Sequence, residues 1–77
     1  MNVRFTRHAA ERLTQRFGGS VEGLIEVVER GIYEKGAEPA PESCWKVEGF
    51  VEGRPARVVY SEPALGEIKI VTVMWCN

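Results

Sequence analysis

Aspartate is absent from this chain of 77 residues, so any carboxylate chemistry falls to glutamate. Histidine occurs once, as His8, and cysteine twice, as Cys44 and Cys76. That set lacks the paired ligand spacing of a zinc site, and no metal or other cofactor is expected. No apolar run approaches the ~20 residues needed to cross a bilayer. The opening stretch "MNVRFTRHAAER" places arginines where a signal peptide needs an unbroken apolar segment. The expected address is therefore the cytoplasm, without membrane association. In that reducing compartment Cys44 and Cys76 are expected as free thiols. A disulfide remains open should the strands that carry them pair. Internal repeats, low-complexity segments and linkers are also lacking, so residues 1–77 are expected to form one small domain with a thin core.

What is present is unevenly distributed. The formal net charge is −1, yet residues 1–17 carry four Arg against one Glu. Residues 20–42 carry six Glu against one Arg and one Lys, and residues 43–77 carry four of each sign. A basic first segment thus precedes an acidic second one. The overall balance argues against broad nucleic-acid binding, which needs a strongly basic domain. It is compatible with one local phosphate-bearing site.

Hydrophobic periodicity sets the element order. Val3 and Phe5 alternate with Asn2 and Arg4, a short strand signal. Thr6 is an N-cap, and Arg7 to Phe17 reads as a helix with Ala9, Ala10, Leu13 and Phe17 toward the core. Gly18-Gly19 ends it. Ser20 caps a second helix through about Arg30, with Val21, Leu24, Ile25 and Val28 on one side and Gly31 closing it. "GIYEKGAEPAPES", residues 31–43, is expected as a long loop, extended near Ile32-Tyr33. Three strands follow, "CWKVEGFVEG", "RPARVVYSE" and "EIKIVTVMWC", with turns at Glu52-Gly53 and at "PALG", residues 63–66. The last is the most apolar and is expected at the centre of the sheet. The predicted class is α+β, with two N-terminal helices packed on a small antiparallel sheet in the order β-α-α-β-β-β. Leu13, Phe17, Leu24, Ile25, Val28 and Ile70 are the expected core.

One constellation has a chemical logic. His8, Arg12 and Arg16 follow at i, i+4 and i+8 along one edge of the first helix. Cleaving an RNA phosphodiester without a metal needs a base for the 2′-hydroxyl proton, an acid for the leaving oxygen, and cations on the non-bridging oxygens. Histidine titrates in the range the first two tasks require. Arginine offers a planar, permanently charged fork for the third. Candidate helpers on the strands are Arg57, Tyr60 and Lys69. The plainer reading makes His8 a capping or sheet contact and the arginines a solvated edge.

Other candidates are weaker. Cys44 or Cys76 paired with His8 as a nucleophile competes with the ordinary role of cysteine as a small buried hydrophobe. "RFGGSVEG" precedes a helix but lacks the lysine of a P-loop, and glutamates on that helix oppose an anion. Trp45, Phe50, Tyr60 and Trp75 are aromatic enough to stack bases, but in so small a domain most are expected in the core. Glu22, Glu26 and Glu29 read most simply as a solvated face, and otherwise as a docking surface for a basic partner.

The stretch "FTRHAAERLTQRFG", a second helix, a loop and three strands ending in "IVTVMW" resemble a widespread prokaryotic family of small domains of unknown function. That family is marked by an H-A-x-x-R helix, matched here by His8, Ala9 and Arg12. Arg16-Phe17-Gly18 matches its usual helix end, and "GRPARVVY" its G-R-P strand. The resemblance extends over about residues 3–75. Such domains are grouped with RelE- and BrnT-like toxins in the barnase, colicin and RelE ribonuclease fold. The resemblance implies a RelE-like fold and RNA cleavage, with basic residues and often a tyrosine on the later strands. Here those strands offer Lys46, Arg54, Arg57, Lys69 and Tyr60, and the chain ends in "MWCN" without a basic tail.

Two functional expectations result. The first is a toxin-type, metal-independent ribonuclease with a cognate antitoxin as partner. In it His8, Arg12 and Tyr60 are catalytic, and Arg12, Arg16 and Arg57 bind phosphate. The second is a non-catalytic protein-binding module on the same fold, such as a phage or mobile-element inhibitor of a host complex. There Glu22, Glu26 and Glu29 meet the host protein.

Overall fold

The computed structural model describes residues 2–18, 21–33 and 36–76. Its elements are β1 (Asn2–Phe5), α1 (Arg7–Phe17), α2 (Val21–Tyr33), β2 (Glu38–Ala40), β3 (Cys44–Val51), β4 (Arg54–Ala64) and β5 (Glu67–Trp75). The strands form one sheet in the order β1-β5-β4-β3-β2. The α+β class with two helices is as expected. The sheet differs in having five strands and in being mixed, because β1 runs parallel to β5.

The direction of β1 is set by what it feeds. Thr6, at the β1–α1 junction, bonds to the backbone of Ile70 and Val71 on β5. At the far end of α1, Phe17 stacks on Trp75 of β5. Helix α1 therefore runs along β5 in the same direction, prolonging β1. Helix α2 returns along β3, where Val27 lies against Gly49 and Gly31 against Val47. That return puts the chain back at its starting end, so β3 rises, β4 descends and β5 rises again beside β1. Periodicity marks strands but carries no information on their direction.

Three expectations for α2 and its surroundings need correction. The helix does not close at Gly31 but continues to Tyr33. Gly31 is instead a contact point, where a side chain would collide with Val47. The expected loop 31–43 contains strand β2, which pairs with the start of β3 from Glu38↔Lys46 to Ala40↔Cys44. Ile25 is only half-buried, and Val27 takes the core position. Leu24, Val27 and Val28 form the buried face of α2, and Gly31 and Gly49 let the helix sink close to β3. The proposed Ser20 cap and Gly19 lie outside the described residues.

Strand β4 is in the middle of the sheet, while β5 is interior between β1 and β4 rather than central. Both turns fall where expected. Glu52 and Gly53 have φ of 51° and 80°, the left-handed pair that a tight two-residue hairpin needs. The second turn is shorter than expected, since β4 extends to Ala64.

The core lies between the helices and one face of the sheet. It joins Ala9, Leu13 and Phe17 of α1 and Leu24, Val27 and Val28 of α2 to alternate strand residues. Those include Val47, Val58, Tyr60, Ile68, Ile70 and Val73. No helix among the described residues lies on the other sheet face. Among the described residues no helix is long and apolar enough to cross a membrane.

Candidate functional site

The position of α1 is fixed at both ends. Thr6 has extended backbone, with φ −66° and ψ 161°, and its hydroxyl oxygen accepts the Ala9 N–H at 3.1 Å. The same hydroxyl donates to the Val71 carbonyl at 3.1 Å, and the Thr6 N–H donates to the Ile70 carbonyl at 3.0 Å. One side chain thus caps the helix and ties it to β5. At the other end Gly18, at φ 62°, turns its N–H back to the Leu13 carbonyl. The Trp75 indole N–H donates to the Arg16 carbonyl at 2.7 Å.

Between these anchors Ala9, Leu13 and Phe17 are buried, which leaves His8, Arg12 and Arg16 along the flank. His8 and Arg16 are exposed and Arg12 is half-buried. Successive members of the row stand one helical turn apart, about 6 Å along the axis. The two arginines of the row have no carboxylate partner among the described residues. Arg4, Arg7, Arg30, Lys46 and Arg57 each pair with a glutamate, at 4.0, 3.4, 3.0, 3.8 and 3.0 Å. Among the described residues, Arg12, Arg16, Arg54 and Lys69 form no such pair. Two of these four cations belong to the α1 row.

The expected strand helpers are not brought to this row. Tyr60 points into the core from β4 and is 3% exposed. Burial, reinforced by nearby Glu62, pushes its hydroxyl pKa up, so it stays protonated. Arg57 lies between the buried Ala56 and Val58, which turns it to the face without helices. There its guanidinium donates to Glu48 Oε2 at 3.0 Å. Lys69, between buried Ile68 and Ile70, points the same way. It shares a groove of about 280 Å³ with Arg4, Phe5 and Pro63. Tyr60 and Arg57 are therefore separated from the α1 row by burial and by the thickness of the sheet.

The helix-free face has its own polar cluster. Cys76 Sγ donates to Glu48 Oε2 at 3.3 Å, beside the Arg57 contact. These two hydrogen bonds, that of Cys76 first, hold the Glu48 carboxyl below its usual pKa. Desolvation, followed by that same hydrogen bond, raises the Cys76 thiol pKa, which disfavours the nucleophilic thiolate. Both cysteines are free. Cys44 opens β3 while Cys76 meets Glu48 four residues along, about 13 Å away by strand rise. Among the described residues, no three His, Cys, Asp or Glu side chains gather into a metal-binding group.

On the acidic helix Glu26 is tied to Arg30 at 3.0 Å. Glu22 is exposed and Glu29 half-buried. The aromatics are less buried than expected. Trp45 and Phe50 are 40% and 73% exposed, and only Tyr60 among the four candidates is fully in the core.

Arg54 and Trp75, each a separate candidate in the sequence, meet near the end of the α1 row. Arg54 sits directly after the Glu52-Gly53 turn and places its Cζ 4.0 Å from the centroid of the Trp75 ring. Trp75 in turn stacks on Phe17, with centroids 4.0 Å apart and planes 26° from parallel. The signal was present as "EGRP" after an apolar strand, but its partner Trp75 lies on another strand and pairing is not legible locally.

No curated protein and no solved structure matches the chain. A family model, Domain of unknown function (DUF4258), matches residues 5–75. That span runs from the end of β1 to the last residue of β5, and the chain accordingly belongs to this family of small domains of unknown function.

Proposed function

We propose that this domain is a metal-independent ribonuclease of toxin type, with its site on the exposed flank of α1. The observation that carries the reading is the juxtaposition on α1. A solvent-exposed histidine stands one turn from Arg12 and two from Arg16, and neither arginine pairs with a described carboxylate. Its relation to RelE- and BrnT-like toxins rests on the H-A-x-x-R helix and the three-strand meander that follows. A cytoplasmic setting and a cognate antitoxin belong to the same proposal.

In this mechanism Arg12 and Arg16 hold the non-bridging oxygens of the scissile phosphate. His8 takes the proton of the 2′-hydroxyl. The 2′-oxygen then attacks phosphorus, the bond to the 5′-oxygen breaks, and that oxygen takes a proton from water or from His8. The products are a 2′,3′-cyclic phosphate and a 5′-hydroxyl. Tyr60 and Arg57 take no part in this version, because they do not reach the row.

That same placement favours the second reading, a protein-binding module. It leaves His8 without a neighbouring acid among the residues expected to assist. In that case Glu22, Glu26 and Glu29 form the surface that meets a host protein, and His8→Ala leaves the biological effect unchanged. Incubation of purified protein with single-stranded RNA, wild type beside His8→Ala, tests the first reading. Cleavage that His8→Ala abolishes supports it, and intact RNA with both proteins contradicts it.

A further inference from the structure

Phe17, Trp75 and Arg54 form a column of three stacked groups that ends at the protein surface. Its base is buried, since Phe17 belongs to the core. Its middle is fixed from two sides. Phe17 covers one face of the indole, and the indole N–H is held by the Arg16 carbonyl at 2.7 Å. Its top is an exposed guanidinium lying over Trp75, with no described carboxylate to neutralise it. The tight turn at Glu52-Gly53 fixes where Arg54 leaves the hairpin. A guanidinium stacked on tryptophan keeps its N–H edge directed outward, where it can still meet an anion. Here the flat cation is pre-oriented, no carboxylate among the described residues pairs with it, and the column is anchored to the backbone of Arg16.

We infer that this column is a base-stacking subsite. It takes the nucleobase next to the phosphate bound by Arg12 and Arg16 in single-stranded RNA. This rests on the RNA reading above and adds to it the residues that grip a flanking nucleotide. A guanidinium plane is a good platform for an unstacked base, because it offers dispersion contact and a positive charge to the π-face together. The charge also faces the adjoining phosphate. Arg54 is thus a binding residue in this scheme, and Trp75 is a positioning residue that holds it flat.

The test uses a short fluorescent single-stranded oligoribonucleotide and a version with one abasic nucleotide. Binding is read by anisotropy and cleavage by gel in parallel. Arg54→Ala is expected to weaken binding about tenfold, the scale of one lost base stack. Arg54→Lys is expected to recover little of it, since an ammonium keeps the charge but has no plane. The abasic oligomer is expected to bind wild type more weakly and Arg54→Ala no more weakly than the intact oligomer does. In a Trp45→Phe background Trp75 is the sole tryptophan, and its emission is expected to change on binding. Arg54→Lys binding like wild type overturns the inference, as does an abasic penalty of equal size in both proteins. Failure of wild type to bind the oligomer overturns it too. Cleavage decides the catalytic reading separately. RNA that is bound through Arg54 but left uncut supports the stacking site while removing the nuclease. RNA that is cut with Arg54→Lys fully active does the reverse.

Discussion

Thr6 does two jobs with one hydroxyl, and the position of His8 depends on both. It caps α1 through the Ala9 N–H and fastens the helix to β5 through the Val71 carbonyl. Removing the hydroxyl leaves two backbone groups without this partner in a half-buried place. Thr6→Ala is expected to lower stability by about 1–2 kcal/mol, and Thr6→Ser to retain most of it. Urea denaturation of the three proteins measures this. The capping half of that role is legible from a threonine before an amphipathic run. The tether is not, because residue 71 is 65 positions away and only strand pairing brings it near. The same reason hides the separation of Arg57 and Tyr60. Both stand on β4 three residues apart, and their opposite faces emerge only once the helices are seen to cover one side of the sheet. Glu48 supplies a pH-dependent check on the helix-free face. Its folded pKa lies below the usual 4.5, so its contribution to stability is present above that value and fades as pH falls through the folded pKa. Any difference in denaturation midpoint between wild type and Glu48→Gln should therefore be seen at pH 7 and shrink in strong acid.

At the scale of elements, α2 shows how a glycine misleads. Gly31 follows an apolar repeat and reads as a helix stop, yet the helix passes through it for two more residues. What Gly31 contributes is the space above Val47, matched on β3 by Gly49 beneath Val27. A Cβ at Gly49 would sit 3.0 Å from both Val27 methyl carbons. Valine is stiff at χ1, so neither side can yield cheaply. Gly31→Ala is expected to cost about 1–3 kcal/mol through overpacking. Gly36→Ala, where no atom lies within 4 Å, should not show that loss. Equal midpoints for Gly31→Ala and wild type would contradict the close approach of α2 to β3. Leu24, fully buried on the same helix face, gives the opposite test. Leu24→Ala should cost about 2–5 kcal/mol by leaving a cavity. The two helices and three long strands were readable from period and turn chemistry. Strand β2 was not, because three residues, two of them Glu38 and Pro39, carry no alternation to detect.

For the whole molecule, the arrangement of charge says more than its sum. Five of the described cations are matched by glutamates, and of the four that are not, Arg12 and Arg16 lie on α1 and Arg54 touches Trp75 beneath the end of that helix. On the proposed RNA reading these three cations, in a chain of net charge −1, together receive the anion, and residue counts locate only the α1 part of that set. Binding there should weaken with salt, and Arg12→Ala should flatten that dependence by about one phosphate contact. In the proposed ribonuclease mechanism His8 moves a proton during RNA cleavage. The most direct measurement is the single-turnover cleavage rate of a single-stranded oligoribonucleotide in chelator, with affinity measured alongside, for wild type and His8→Ala. Proton transfer by His8 predicts cleavage to a 2′,3′-cyclic phosphate, a rate about 10²–10⁴ lower in the variant, and nearly equal affinities. Wild-type protein that leaves the RNA intact, or a variant that cuts at the wild-type rate, would contradict it.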